Sequence, residues 1–224
     1  SSKKEKALDN LQAIQCLKQL EQEQRMATKQ EQVKLAKYSG WGGIPEIFEV
    51  DNSDWQALHQ QLTQLLTPEE YRAAQSSVLT AFYTPNEVIK KIYEHLAYLG
   101  DFSKGSILDP AMGTGNFFAN LSENMLSANL IGVEIDKITG KIAQHLYPKA
   151  NVFQTGFENV DLSDKVDLVV GNFPFSDITV LDRKYKQYNF KIHDYFMVKS
   201  IDLLAPRGYL VFITSTGTMD KRTK

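Results

Sequence analysis

The residues best placed to do chemistry begin with Asp109-Pro110-Ala111-Met112-Gly113-Thr114-Gly115. Gly113 and Gly115 supply a turn without Cβ atoms, so the backbone can bend sharply and come close to a ligand. Ile107 and Leu108 before it read as the end of a buried strand. From Asn116 the apolar residues Phe117, Phe118, Leu121, Met125 and Leu126 recur at helical spacing. A strand, a glycine turn and a helix N-terminus make a cradle for a nucleoside-type ligand, although an ordinary strand-to-helix turn reads the same way. Glu134 follows about 20 residues after the turn, where an acid can accept hydrogen bonds from ribose hydroxyls. Asn172-Phe173-Pro174-Phe175 places an amide, a proline and two aromatics at the end of a later strand; the plain alternative is a strand-ending turn with two core rings. Directly after it, Arg183, Lys184, Lys186 and Lys191 are interleaved with Tyr185, Tyr188 and Phe190. Such a stretch suits phosphates and unstacked bases, or is simply a charged surface loop.

These residues need a scaffold, and the pattern supplies one. Strands are expected at Ile107–Leu108, Asn129–Asp136, Ala150–Phe153, Val166–Gly171 and Tyr209–Ile213, with helices over Ile138–Tyr147 and Ile192–Leu204 between them. The near-continuous apolar run at Val166 predicts a strand covered on both faces. Alternation of this kind predicts an α/β fold, a doubly wound, mainly parallel Rossmann-like sheet. Right-handed crossovers would set the fourth strand beside the first, with the order reversing between them, where ligands bind such sheets. Upstream, residues 5–37 carry a loose helical stripe through Leu8, Leu11, Ile14, Leu17 and Leu20. A connector follows at Ser39-Gly40-Trp41-Gly42-Gly43-Ile44-Pro45, its tryptophan expected in the core. Two short helices, Ser53–Leu66 and Thr67–Leu79, come next, the second opened by the capping box Thr67-Pro-Glu-Glu70. Thr84-Pro-Asn-Glu87 predicts another capping box and a helix to about Leu99. The division expected is an N-terminal helical extension, 1–80, and a core, 81–224.

Composition excludes several classes. With 224 residues, 42% hydrophobic and 23% charged, the chain is neither disordered nor membrane-like. One cysteine, Cys16, leaves no intrachain disulfide and suits a cytoplasmic protein. No metal-ligand spacing is found. A net charge of −2 means that nucleic acid must be met by local basic patches. The start at Ser1 and the stop among Lys221, Arg222 and Lys224 give the expectation of a piece of a longer polypeptide.

From Ala81 onward the sequence resembles the adenine-specific DNA methyltransferases that use S-adenosylmethionine, with the motifs in that family's order. Phe82-Tyr83-Thr84-Pro85 resembles its N-terminal motif, which meets the methionine end of the cofactor. Asp109, Pro110, Ala111, Gly113 and Gly115 resemble its cofactor loop, and Glu134 its ribose-binding acid. Asn172, Phe173, Pro174 and Phe175 resemble its catalytic Asn-Pro-Pro-Tyr/Phe motif. The resemblance implies that the Asn172 oxygen and the next backbone carbonyl accept the hydrogens of the adenine amine, while Phe175 stacks on a base flipped out of DNA. Gly-Trp-Gly-Gly is also similar to large helicase–methyltransferase polypeptides of phages and mobile elements, implying helicase domains as partners. Two departures stand out. Phe173 replaces a proline, and Gly156-Phe157-Glu158 lacks the acid that meets the cofactor adenine, leaving Phe157 to pack on that ring. The resemblance further implies strands beyond the fifth, so that this chain alone would bind cofactor, methylate little and self-associate along its fifth-strand side. Other readings left by the sequence are an RNA or protein-glutamine methyltransferase and a non-catalytic cofactor-binding module.

Overall fold

The computed structural model describes residues 2–79 and 83–215. Phe82 of the N-terminal motif and the terminal Lys221, Arg222 and Lys224 lie outside the described residues. The chain divides into two compact units, Ser1–Phe82 with Asp136–Pro148, and Tyr83–Ile135 with Lys149–Lys224.

The first unit is helical: α1 (Lys3–Glu23), α2 (Lys29–Leu35), α3 (Gln56–Leu65), α4 (Pro68–Ser77) and α7 (Lys137–Leu146). Three of these starts are capping boxes, at Ser2 with Glu5, Thr28 with Glu31 and Thr67 with Glu70; the last has Pro68 in the first turn. The leucine stripe of α1 is buried through Leu11, Leu17 and Leu20 against Leu35, Trp41 and Ile142. Trp41 is 1% exposed and meets the Phe48 ring edge-on at 5.9 Å. The connector is pinned by buried Asn10, whose Nδ2 donates to Gly40 O (2.6 Å) and whose Oδ1 accepts from Ser39 N (2.8 Å). That satisfies backbone groups which would otherwise be stranded in an apolar core.

The second unit carries a five-stranded, wholly parallel sheet: β1 (Ser106–Asp109), β2 (Asn129–Val133), β3 (Asn151–Phe153), β4 (Val166–Asn172) and β5 (Leu204–Ile213). The order is β3-β2-β1-β4-β5, so it reverses between β1 and β4 as the crossover rule requires. Leu108 pairs with Ile131 on one side and Val169 on the other. This is a doubly wound, Rossmann-like arrangement. Helices α5 (Asn86–Leu99), α6 (Asn116–Ala119) and α8 (Ile192–Leu203) complete the unit.

Three local expectations change. After the glycine turn the helix is only one turn, α6, rather than running on to Leu126. Asn120 ends it by donating Nδ2 to Asn116 O (2.8 Å), and Ser122 starts a separate 3₁₀ turn, Glu123–Met125. So short a helix contributes little macrodipole, and backbone N–H groups of the loop carry the site's polarity instead. Second, Thr84 does not cap α5, which begins after Pro85 without a side-chain cap. Third, β5 starts at Leu204, its pairing with β4 broken by an irregularity between Val166 and Leu168 and by Arg207 at φ +68°.

Candidate active site

Every sequence-predicted site residue within the described residues lies in the second unit. Asp109 ends β1 and is 1% exposed. Burial pushes its carboxyl up to about 8; the Ala111 N–H on Oδ1 (3.1 Å) pulls the other way and the Glu134 charge adds to the rise. Its protonated form therefore predominates at neutral pH. Gly171, on the neighbouring strand, makes room for it: a Cβ there would lie 2.8 Å from Asp109 Oδ1.

The loop after β1 is held by backbone donors. Met112 N–H donates to Val133 O (3.0 Å), Gly113 N–H to Glu134 Oε2 (2.9 Å) and Gly115 N–H to Met112 O (2.9 Å). Gly113 and Gly115 adopt φ +55° and +93°, the left-handed region that disfavours a side chain. Among the described residues, its two chain neighbours apart, no atom lies within 4 Å of the position a Gly113 Cβ would take. Pro110 is buried and Ala111 half-buried within this loop.

Tyr83 is exposed and Thr84 is 9% exposed. Among the described residues the buried Thr84 hydroxyl has no hydrogen-bond partner, which leaves it able to bond water or a ligand. Tyr93 Oη on α5 donates to Phe117 O (2.9 Å) and Asn120 Nδ2 to Asn86 Oδ1 (3.1 Å). These bonds hold the first turns of α5 to the segment that follows the glycine turn.

Asn172, half-buried, ends β4. Phe173 is 1% exposed, stacked on Phe212 (4.7 Å, 9°) and tilted against Phe196 (5.7 Å). Pro174 is half-buried, and Phe175, 40% exposed, stacks on His193 (4.3 Å, 17°). One ring of the motif is thus a core anchor and the other a surface platform. Phe157 is 1% exposed, enclosed by Phe196 (5.0 Å) and Tyr195 (6.1 Å), with Lys199 Nζ 4.9 Å from its centroid. Its ring lies in the core, so stacking on a ligand, the expectation from sequence, is not the role this packing gives it.

The basic stretch forms a braced loop closed by an antiparallel bridge between Thr179 and Lys191. Asp182 accepts from Tyr195 Oη (2.6 Å), Lys199 Nζ (3.2 Å) and Lys184 N (2.9 Å). Burial raises the Asp182 pKa, but those donors outweigh it and its pKa lies below the ordinary range. Arg183, Lys184 and Lys186, with Gln187 and Asn189, line a shallow cleft of about 570 Å³. Lys184 also pairs with Asp202 (3.0 Å). Tyr188 stacks on Phe190 (5.2 Å), and Lys191 Nζ donates to Asp177 O (2.6 Å); neither lines the cleft.

His193 was not among the residues singled out from sequence. A lone histidine beside a helix start carries no signal of its own; only the topology sets it under the Asn172–Phe175 turn. No group of His, Cys, Asp or Glu among the described residues is arranged to hold a metal ion, and no helix there is long and apolar enough to cross a membrane.

Residues 25–224 match the Eco57I restriction-modification methylase family. The chain belongs to that family. Methylases of that family use S-adenosylmethionine. This chain is 28% identical over 141 residues to defense against restriction protein B of Escherichia phage P1, covering 60% of this chain and 6% of that protein. It is 33% identical over 94 residues to the type II methyltransferase M.CvrRI of Paramecium bursaria Chlorella virus XZ-6E, covering 42% and 24%. It is 30% identical over 122 residues to the modification methylase CviBIII of Paramecium bursaria Chlorella virus NC1A, covering 52% and 32%. The chain thus spans less than a third of the length of each of these three relatives.

Proposed function

We propose that this chain transfers a methyl group from S-adenosylmethionine to the exocyclic amine of adenine in DNA. The observation that carries the reading is the placement of Asn172 and the exposed Phe175 at the end of β4, directly across the order reversal from the glycine loop after β1. Membership of a restriction-modification methylase family, and a relative named a modification methylase, favour DNA as the acceptor.

When bound, the cofactor supplies an electrophilic methyl group on a sulfonium. Thr84 and the Asp109–Gly115 loop would hold it, with Glu134 on the ribose; Oε2 of Glu134 already fixes Gly113. The adenine amine is a weak nucleophile because its lone pair is delocalised into the ring. The Asn172 side-chain oxygen and the Phe173 carbonyl accept its two hydrogens, favouring a pyramidal nitrogen and stabilising the positive charge that develops. Phe173 keeps the carbonyl that the first proline of the motif would offer, and its buried ring holds the turn that proline would stiffen. Phe175 offers its exposed face to a flipped base. No strong base is needed before transfer, so positioning is the main contribution of the chain. Arg183 and Lys186, exposed on the cleft, face phosphates. Helicase domains are the chain's expected companions, as the resemblance of Gly-Trp-Gly-Gly implies.

The test is to incubate the full-length protein with methyl-labelled S-adenosylmethionine and equal amounts of DNA and RNA, digest both, and identify the labelled nucleoside. Label at the adenine amine of DNA is expected. Label confined to RNA or protein would overturn the acceptor, and no label in any acceptor would favour a non-catalytic module.

A further inference from the structure

We propose that His193 is a positioning residue for methyl transfer, holding the Asn172–Phe175 turn in its working shape from behind. The inference rests on the catalytic reading of that turn and adds to it a residue that the motif itself does not contain.

His193 sits in the first turn of α8 and is 8% exposed. Its Nδ1 lies 3.2 Å from the Pro174 carbonyl oxygen and its Nε2 lies 2.9 Å from Thr214 Oγ1. Its ring stacks on Phe175 at 4.3 Å and 17°, and meets Phe212 at 5.8 Å. One imidazole therefore touches the turn after β4, the residue following β5 and the exposed aromatic platform.

The chemistry of these contacts is directional. A carbonyl oxygen only accepts, so the Nδ1 contact requires a proton on Nδ1. A neutral imidazole has a single N–H, which leaves Nε2 as the acceptor for the Thr214 hydroxyl hydrogen. The bonds thus select the Nδ1–H tautomer. Pro174 has no N–H with which to help close the turn, and the His193 Nδ1–H gives its carbonyl a partner from outside the turn. Phe173 is already fixed by Phe212 and Phe196, which anchors one end of the turn. His193 fixes the other end, where Phe175 must stand flat to receive a base. Loss of the Nδ1 donor frees the Pro174 carbonyl and lets Phe175 tilt, while the cofactor loop, which lies on other strands, is untouched.

Two variants separate the donor from the ring. His193→Phe keeps an aromatic ring behind Phe175 but has no N–H; His193→Asn places an amide donor near the position of Nδ1. In the full-length protein, His193→Phe is expected to keep cofactor affinity within about twofold and to lower kcat by about tenfold to a hundredfold, the scale of a misplacement near 1 Å. His193→Asn is expected to restore most of that loss, which a purely space-filling role would not predict. Unchanged kcat in His193→Phe, or equal loss in His193→Asn, overturns the proposal. Should His193→Phe fail to fold, nitrogen-15 NMR of the wild-type imidazole decides: an Nδ1–H tautomer is expected, and an Nε2–H tautomer overturns the assignment. An active wild type indifferent to His193 sinks this inference alone, whereas a wild type that methylates no acceptor sinks the catalytic reading of residues 172–175 and this inference with it.

Discussion

Asp109→Asn should make the protein more stable above neutral pH and remove part of its pH dependence. Asp109 is 1% exposed, and burial raises its pKa from an ordinary 3.8 to about 8. Because the folded pKa exceeds the unfolded one, the folded state holds a proton that the unfolded state has lost, and stability falls as pH rises from about 4 to about 8. Each tenfold change in proton affinity is worth ~1.4 kcal/mol, so the penalty approaches ~6 kcal/mol above pH 8 as an upper limit. Between pH 6 and 8 the fall is about 2 kcal/mol, or roughly 4–8 °C in melting temperature for a domain of this size. Asparagine keeps the oxygen that accepts from Ala111 N–H but carries no charge. Melting wild type and variant without ligand at both pH values isolates the effect. The subtraction also cancels His145, whose burial lowers its pKa, so that it loses stability in the opposite direction as pH falls. Parallel pH profiles for the two proteins would refute the reasoning.

Glu134→Ala removes the carboxylate that accepts from Gly113 N–H, and S-adenosylmethionine affinity should drop by about 1–3 kcal/mol; calorimetry with no change would take Glu134 out of the site. Gly113→Val forces a branched side chain into φ +55°, at a cost of roughly 1–2 kcal/mol in stability, and fills the space before the loop. Its cofactor affinity should fall further than that of Glu134→Ala, and equal binding would undo the loop assignment. Phe173→Pro brings back the family residue but deletes an enclosed ring, so urea denaturation should register a loss of about 3–5 kcal/mol; unchanged stability would refute the anchor role. Replacing Arg183, Lys184 and Lys186 by Glu should weaken DNA binding and flatten its salt slope by about 2 rather than 3, because Lys184 is already paired with Asp202. An unchanged slope would return the loop to ordinary surface.

The sheet was legible because its signals are local and consistent. The apolar run Val166–Val170 reads as a strand covered on both faces, the glycines punctuate β1, and the crossover rule then fixes the β1–β4 neighbourhood. The glycine loop and Glu134 were legible for the same reason, since their spacing follows from the β1–β2 register. What failed was competition that periodicity does not weigh. Leu121, Met125 and Leu126 keep helical spacing, yet Asn120 and Ser122 draw the backbone out of the helix. Ser2 and Thr28 open α1 and α2 with capping boxes set in a polar stretch whose leucine stripe does not mark where a helix starts. His193 and the burial of Phe157 and Phe173 depend on which elements pack together, and no local pattern carries that information.

The central claim is that Asn172 and the turn after it hold the amine that receives the methyl group. The most direct test is single-turnover methyl transfer to DNA by the full-length protein carrying Asn172→Ala, with cofactor affinity measured beside it. The account predicts affinity within about twofold of wild type and transfer lowered by about a hundredfold or more. Full transfer by that variant, from a wild type that is itself active, would contradict it.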